Sequence, residues 1–317
     1  MDLRSDYILG KDVFVKLISL DQETLNRLRK ALKTGDYAPF ITVEFLITNL
    51  ISRERPDLIS PGSRVLMSEK KLDIEYFQDS EYQNVVKEFS DLDLSKDIKS
   101  VIIISDKLDG NLEKFIRDVS NRSEIENALI HICWLYFEYQ KLFKCTHGDP
   151  KPANYTWRKL DTEIEITYDF RDDFDRSDRR LIKRKVKNLF YLTDLEFAHS
   201  PFLIERENNT YNFTKIYEFI DDKRKDIIVK PKLSSSPYYD YNTNLYGGYE
   251  NRIFGVFPRI FVIDLLTLVK VFLTYDYPQH FSSELLRKLN IYFTRFLSLN
   301  YNYLKASPAS LAILLSS

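Results

Sequence analysis

The stretch His147-Gly148-Asp149-Pro150-Lys151-Pro152-Ala153-Asn154 constrains this chain more than any other. It sets a histidine, an aspartate, a lysine and an asparagine at short fixed spacing. It follows a long helical pattern from Ser123 to Phe143. In that pattern Ile125, Leu129, Ile132, Tyr136 and Tyr139 recur at spacings of three and four, which marks one buried helix face. A second signal, Thr193-Asp194-Leu195-Glu196-Phe197-Ala198, follows, with Asp194 forty positions past Asn154.

The rest of the chain supplies the frame for these two segments. Asp12 to Ser19 alternates and is β-branched, so it reads as a strand. Asp21 stands as a cap before a helical run from Gln22 to Lys33, and Tyr37 to Ile51 holds a second helical pattern around Val43, Leu46, Ile47 and Leu50. Pro56 to Gly62 is a turn-rich break, followed by a short strand at Ser63 to Met67. Residues 69–97 read as polar and partly helical. Ser100 to Ile104 is a buried strand by its continuous β-branched run, ended by Asp109-Gly110. Leu112 to Val119 is a short helix. Strands surround a charged insert up to about residue 200, residues 201–257 are irregular, and residues 258–317 are helical.

This order predicts an α+β fold of two lobes. A small sheet-containing lobe spans residues 1–105 and a larger, mainly helical lobe spans residues 106–317, with the joint near residues 105–111. With 317 residues the chain is long enough for one domain of two lobes or for two modest domains. A net charge of −1 provides no global field toward nucleic acid or membrane. The longest apolar stretch, Ile260 to Leu273, is broken by Asp264 and Lys270 and is too short and polar to span a bilayer. Cys133 and Cys145 are too few for a disulfide framework or a zinc site, so reduced thiols in a cytosol-like compartment are expected.

As a set, the segments resemble the protein-kinase-like superfamily. His147 to Asn154 is similar to the kinase catalytic loop, and Thr193-Asp194-Leu195-Glu196-Phe197-Ala198 stands where kinases carry Asp-Phe-Gly. The Asp-x-Glu form and the glycine of His147-Gly148-Asp149 are closer to aminoglycoside and choline kinases. Lys151, two positions after Asp149, follows the Ser/Thr protein kinase pattern. The mixture is similar to the divergent kinases of large DNA viruses, which implies host cytoplasm or virion as the location.

The resemblance implies ATP and Mg²⁺ as cofactors and phosphoryl transfer to an alcohol group of a protein substrate. Asp149 is expected to orient the acceptor hydroxyl and Lys151 to sit near the transferred phosphate. Asn154 and Asp194 are the expected magnesium-holding groups. Lys16, in Val13-Phe14-Val15-Lys16-Leu17, resembles the strand lysine that pairs the phosphates. Its expected helix partner is Glu44, with Glu23 as the rival. Backbone groups from Ser105 to Lys107 are expected to meet adenine. Asp264 resembles the aspartate of a buried helix that braces the catalytic loop. Two other functions stay open: a small-molecule kinase of the choline or aminoglycoside type, and a pseudokinase scaffold without turnover.

Two features depart from the family pattern. No G-x-G occurs anywhere in the chain, and only fifteen residues precede Lys16. Two strands and a glycine-rich flap scarcely fit there, so the phosphate-covering loop is expected to be absent, shortened or replaced. The insert at about residues 158–187 is the other departure. Asp161, Glu163, Glu165, Asp169, Asp172, Asp173 and Asp175 form an acidic half, while Arg176, Arg179, Arg180, Lys183, Arg184, Lys185 and Lys187 form a basic half. Either the halves pair as a solvated hairpin or helix, or residues 176–187 dock an acidic partner.

Overall fold

The structure, a computed structural model, describes residues 5–9, 13–26, 40–72, 86–119, 121–143, 147, 149–170, 180–195, 198, 257–274, 277–297 and 308–317. The chain is mixed α+β and divides into two compact units. The first comprises Met1–Leu108 with Thr193–Asp221, and the second Asp109–Leu192 with Asp222–Ser317.

The first unit is built on a five-stranded antiparallel sheet of order β1-β2-β5-β3-β4. Its strands are β1 (Ser5–Leu9), β2 (Val13–Ser19), β3 (Arg64–Ser68), β4 (Ser90–Asp91) and β5 (Ser100–Asp106). The β-branched run of β5 sits in the middle of the sheet, buried from Ser100 to Ser105, with β2 on one side and β3 on the other. On one face Val15 and Leu17 pack with Leu66, Leu72, Ile102 and Ile104. Side chains alternate along a strand, so Lys16 points to the opposite face. There it meets α1 (Phe40–Glu54), whose Glu44, Ile47 and Ile51 share one buried face. The capped helix after Asp21 is present: residues 22–26 are helical, and the Thr24 amide donates to Asp21 Oδ1 at 2.6 Å.

One strand precedes β2 where the sequence indicated none. Ser5–Leu9 pairs antiparallel with β2, and only residues 10–12 connect the two. The segment is short and close to the N-terminus, so its alternation is too brief to register as a period. The turn-rich break before β3 carries Gly62 at φ 69°, where a Cβ would run into the Asp106 side chain. Of residues 69–97, residues 73–85 lie outside the described ones, as do residues 27–39 and 201–256.

The second unit holds β6 (Gly110–Asn111), α2 (Leu112–Asp118), α3 (Arg122–Phe143), β7 (Tyr155–Phe170) and β8 (Arg180–Leu192). Helices α4 (Phe257–Thr274), α5 (Ser283–Leu297) and α6 (Pro308–Ser316) complete it. Its sheet is antiparallel with order β6-β7-β8. Ile125, Leu129, Ile132, Tyr136 and Tyr139 of α3 are all buried, as their spacing requires. His131 of α3 clamps the hairpin. Its Nε2 lies 3.2 Å from the Phe190 carbonyl, which can only accept, so Nε2 carries the proton. Its Nδ1 lies 2.9 Å from the Tyr168 hydroxyl. Among the described residues no helix is long and apolar enough to cross a membrane.

The charged insert is a β-hairpin. Asp161, Glu163, Glu165 and Asp169 lie on β7, while Arg180, Lys183, Arg184, Lys185 and Lys187 lie on β8. Glu165 stands opposite Lys185, and Lys183 Nζ is 4.0 Å from Glu165 Oε1 with both side chains more than half exposed. Such an exposed pair contributes at most about 1 kcal/mol, and the hairpin also has its ladder and a buried face. That face includes Tyr168, Ile182, Val186 and Phe190. The residues between the strands, which include Asp172, Asp173, Asp175, Arg176 and Arg179, lie outside the described ones.

Candidate active site

The second unit shapes His147 to Asn154 into a tight loop. Pro152 opens a 3-10 turn, Pro152–Asn154, because its ring already holds a helical φ and it lacks the amide hydrogen that such a turn leaves unused. Lys151, which precedes that proline, is driven extended at φ −93° and ψ 152°. The Asn154 amide donates to the Lys151 carbonyl at 2.9 Å, and the Lys151 amide donates to the Asp149 carbonyl at 2.9 Å.

Side chains then lock the loop. Asn154 Nδ2 donates to both the Asp149 carbonyl and Asp149 Oδ2, each at 3.0 Å. Both partners can only accept, so the amide nitrogen must face them. The Asn154 carbonyl oxygen, the atom a hard cation binds, is not used in either bond. Lys151 Nζ lies 2.6 Å from the same Asp149 Oδ2. Asp149 and Asn154 are buried, while the Lys151 side chain is over a third exposed. One carboxylate oxygen therefore takes an ammonium and an amide, while Oδ1 takes no part in these bonds.

Asp264 of α4 supports the loop from beneath. It is buried, and its Oδ2 accepts the His147 amide at 2.7 Å. His147 is fully buried, and its Nδ1 lies 3.4 Å from the Asp149 amide, placing it as a brace within the loop. Replacing Asp264 by alanine removes the acceptor of a buried amide. We expect a loss of about 1–3 kcal/mol in denaturant unfolding, and an unchanged midpoint would contradict the contact.

Rings close the loop at its base. Tyr136 of α3 lies 6.5 Å from His147 and 6.2 Å from Tyr155, and His147 and Tyr155 are 6.1 Å apart, between ring centroids. The Tyr136 and Tyr155 hydroxyls are 2.6 Å apart, and both residues are fully buried. Desolvation holds both phenols well above the usual tyrosine range, so they remain protonated. Sequence reasoning placed Tyr136 in the core and passed over Tyr155, because a tyrosine at a strand start carries no motif signal.

The first unit holds a second cluster. Lys16 Nζ lies 2.6 Å from Glu44 Oε2 and 3.5 Å from Asp194 Oδ1. Lys16 and Glu44 are each 3% exposed, so Lys16 is not a solvent-facing strand lysine. Glu44 is its helix partner, and Glu23 is exposed. Asp194 is the one described non-glycine residue with positive φ, at 58°. An L-residue held in the left-handed region costs of order 1 kcal/mol and marks a backbone constrained by its surroundings, often at functional sites. Of the segment after it, Leu195 and Ala198 are described and joined by a 3.0 Å backbone hydrogen bond, while Glu196 and Phe197 lie outside the described residues.

Ser105 is buried in β5 opposite Phe14, and the Asp106 amide is used by the Pro61 carbonyl at 2.8 Å. Lys107 is exposed and lies past the ladder, so of the expected adenine-facing stretch it is the residue outside sheet pairing. Among the described residues no group of three or more His, Cys, Asp or Glu side chains is arranged to hold a metal. Magnesium needs no such group, because it keeps several waters and is commonly held by one or two carboxylates plus substrate phosphates. Cys133 is a buried free thiol whose pKa is pushed upward by burial, which makes it inert, and Cys145 lies outside the described residues. No protein-family model matches this chain, and none of the curated proteins matches it.

Proposed function

We propose that this chain is an ATP- and Mg²⁺-dependent phosphotransferase of the protein-kinase-like type, acting on Ser or Thr hydroxyls of protein. The observation that carries the reading is the Asp149–Lys151–Asn154 arrangement. One buried carboxylate is gripped on one oxygen by an amide and an ammonium, with its second oxygen outside those bonds. The Lys16–Glu44 pair beside Asp194 adds independent support, since a buried lysine held next to two carboxylates is poised for phosphate charge.

The donor set fits the cofactor. Asn154 offers a carbonyl oxygen and Asp194 a partly exposed carboxylate, the hard oxygen ligands magnesium takes. When bound, ATP–Mg²⁺ supplies the phosphoryl group and neutralises its developing charge. Asp149 orients the acceptor hydroxyl and accepts its proton through Oδ1, while Lys151 holds Oδ2 and reaches toward the transferred phosphate. Lys16 binds phosphate oxygens, and Glu44 keeps its ammonium in place.

One observation favours the scaffold alternative. Only residues 10–12 connect β1 to β2, so a glycine-rich flap of the usual length has no room there. The deciding experiment is a thermal-shift titration with ATP and Mg²⁺, alongside phosphate incorporation into the chain itself, generic proteins and amino alcohols. Wild type is expected to show magnesium-dependent stabilisation that Asp194→Ala abolishes. Wild type with neither magnesium-dependent binding nor transfer to any acceptor would sink the catalytic reading and leave the scaffold.

A further inference from the structure

The residue after Asn154 carries a polar atom in a place that does not need one. Tyr155 opens β7, is fully buried, and pairs with Leu192 of β8. An apolar ring would fill the same space, and a buried hydroxyl costs free energy unless it is bonded. Its hydroxyl is bonded, at 2.6 Å, to that of Tyr136, itself fully buried on α3. Tyr136 also packs against His147, so the start and the end of the loop meet on one side chain. Two buried hydroxyls that find each other add little net stability but select one geometry, because any shift of the loop end strands both.

We infer that the Tyr136–Tyr155 hydroxyl pair is a positioning device for Asn154. It ties the end of the loop to α3 and so fixes where the Asn154 amide oxygen points. This rests on the reading of Asn154 as a magnesium-holding group. Tyr155 is adjacent to Asn154 in the chain, and the 3-10 turn that ends at Asn154 leaves little slack between them. Neither tyrosine is a catalytic residue: each acts through the asparagine.

The test uses Tyr136→Phe, Tyr155→Phe and the double variant in the full chain. Each single variant strands one buried hydroxyl and is expected to lower the melting temperature by about 3–10 °C. The double variant should fall no further than the worse single one, because both hydroxyls are then gone. Strictly additive losses would show that the hydroxyls do not interact and overturn the proposal. The second readout is the Mg²⁺ concentration for half-maximal stabilisation at saturating ATP. All three variants should require about 10-fold more Mg²⁺, the lower end for losing a group that orients a metal ligand. Binding of metal-free ATP should be unchanged. Coupled melting temperatures with an unshifted Mg²⁺ requirement would reduce the pair to a structural contact and overturn the positioning role. A wild type with no magnesium-dependent nucleotide binding overturns the functional reading and the positioning role with it, while the melting-temperature cycle still reports whether the pair exists.

Discussion

Asp149→Ala is expected to lower phosphate transfer by about 10²-fold or more while leaving nucleotide binding near wild type. A positioned proton acceptor contributes mainly to the transition state, so its loss appears in turnover rather than in ground-state affinity. The local structure makes this variant a clean one. Lys151 loses its 2.6 Å contact with the Asp149 carboxylate, but its side chain is over a third exposed, so water can solvate the ammonium. Asn154 Nδ2 keeps the Asp149 backbone carbonyl at 3.0 Å, so the amide stays oriented after the carboxylate is removed. The measurement is steady-state transfer paired with an ATP titration on the same preparation. A variant that transfers phosphate at the wild-type rate removes Asp149 from the chemistry.

Lys16→Met is expected to have the largest effect on stability. Glu44 is 3% exposed, and its Oε2 lies 2.6 Å from the ammonium, so the variant removes a positive charge held against a buried carboxylate. Breaking one side of such a pair costs about 3–5 kcal/mol, whereas exposed pairs such as Lys183–Glu165 contribute at most about 1 kcal/mol. Lys16→Met with Glu44→Leu removes both charges and should recover most of that loss, because neither ion is then desolvated. Nucleotide binding should stay impaired in the double variant, since the ammonium proposed to pair the phosphates is still absent. Denaturant unfolding and ATP titration of the two variants separate stability from binding. A single variant as stable as wild type would contradict the buried pair, and a double variant with normal ATP affinity would remove Lys16 from the nucleotide site.

The elements with a strong period were legible in the sequence. The β-branched runs of β2 and β5, the stripe along α3 and the proline-shaped loop all sit where their patterns placed them, because local sterics and one buried face suffice to define them. The first strand, β1, was not legible. Its five residues are strand by virtue of pairing with β2, an interaction that no window confined to the segment can contain. The charged insert was ambiguous for a related reason. Its charge pattern suits either a hairpin or a helix, and the decision came from Tyr168, Ile182, Val186 and Phe190 sharing one buried face.

Motif spacing by itself singled out the candidate residues: Asp149, Lys151 and Asn154 in one loop, Asp194 at a strand end, and Lys16 on a strand. Asn154 and Asp149 are five positions apart across a proline-shaped turn, and there the Asn154 amide comes back onto Asp149. Contacts at long separation were decided only by the tertiary structure. Among several glutamates, Glu44 meets Lys16 across 28 positions because α1 lies on the face of β2 that the lysine occupies. Asp264 meets the His147 amide across 117 positions, and Tyr136 finds Tyr155 beneath the loop. A buried ion or hydroxyl takes the partner that packing delivers, and packing depends on every element of the unit at once.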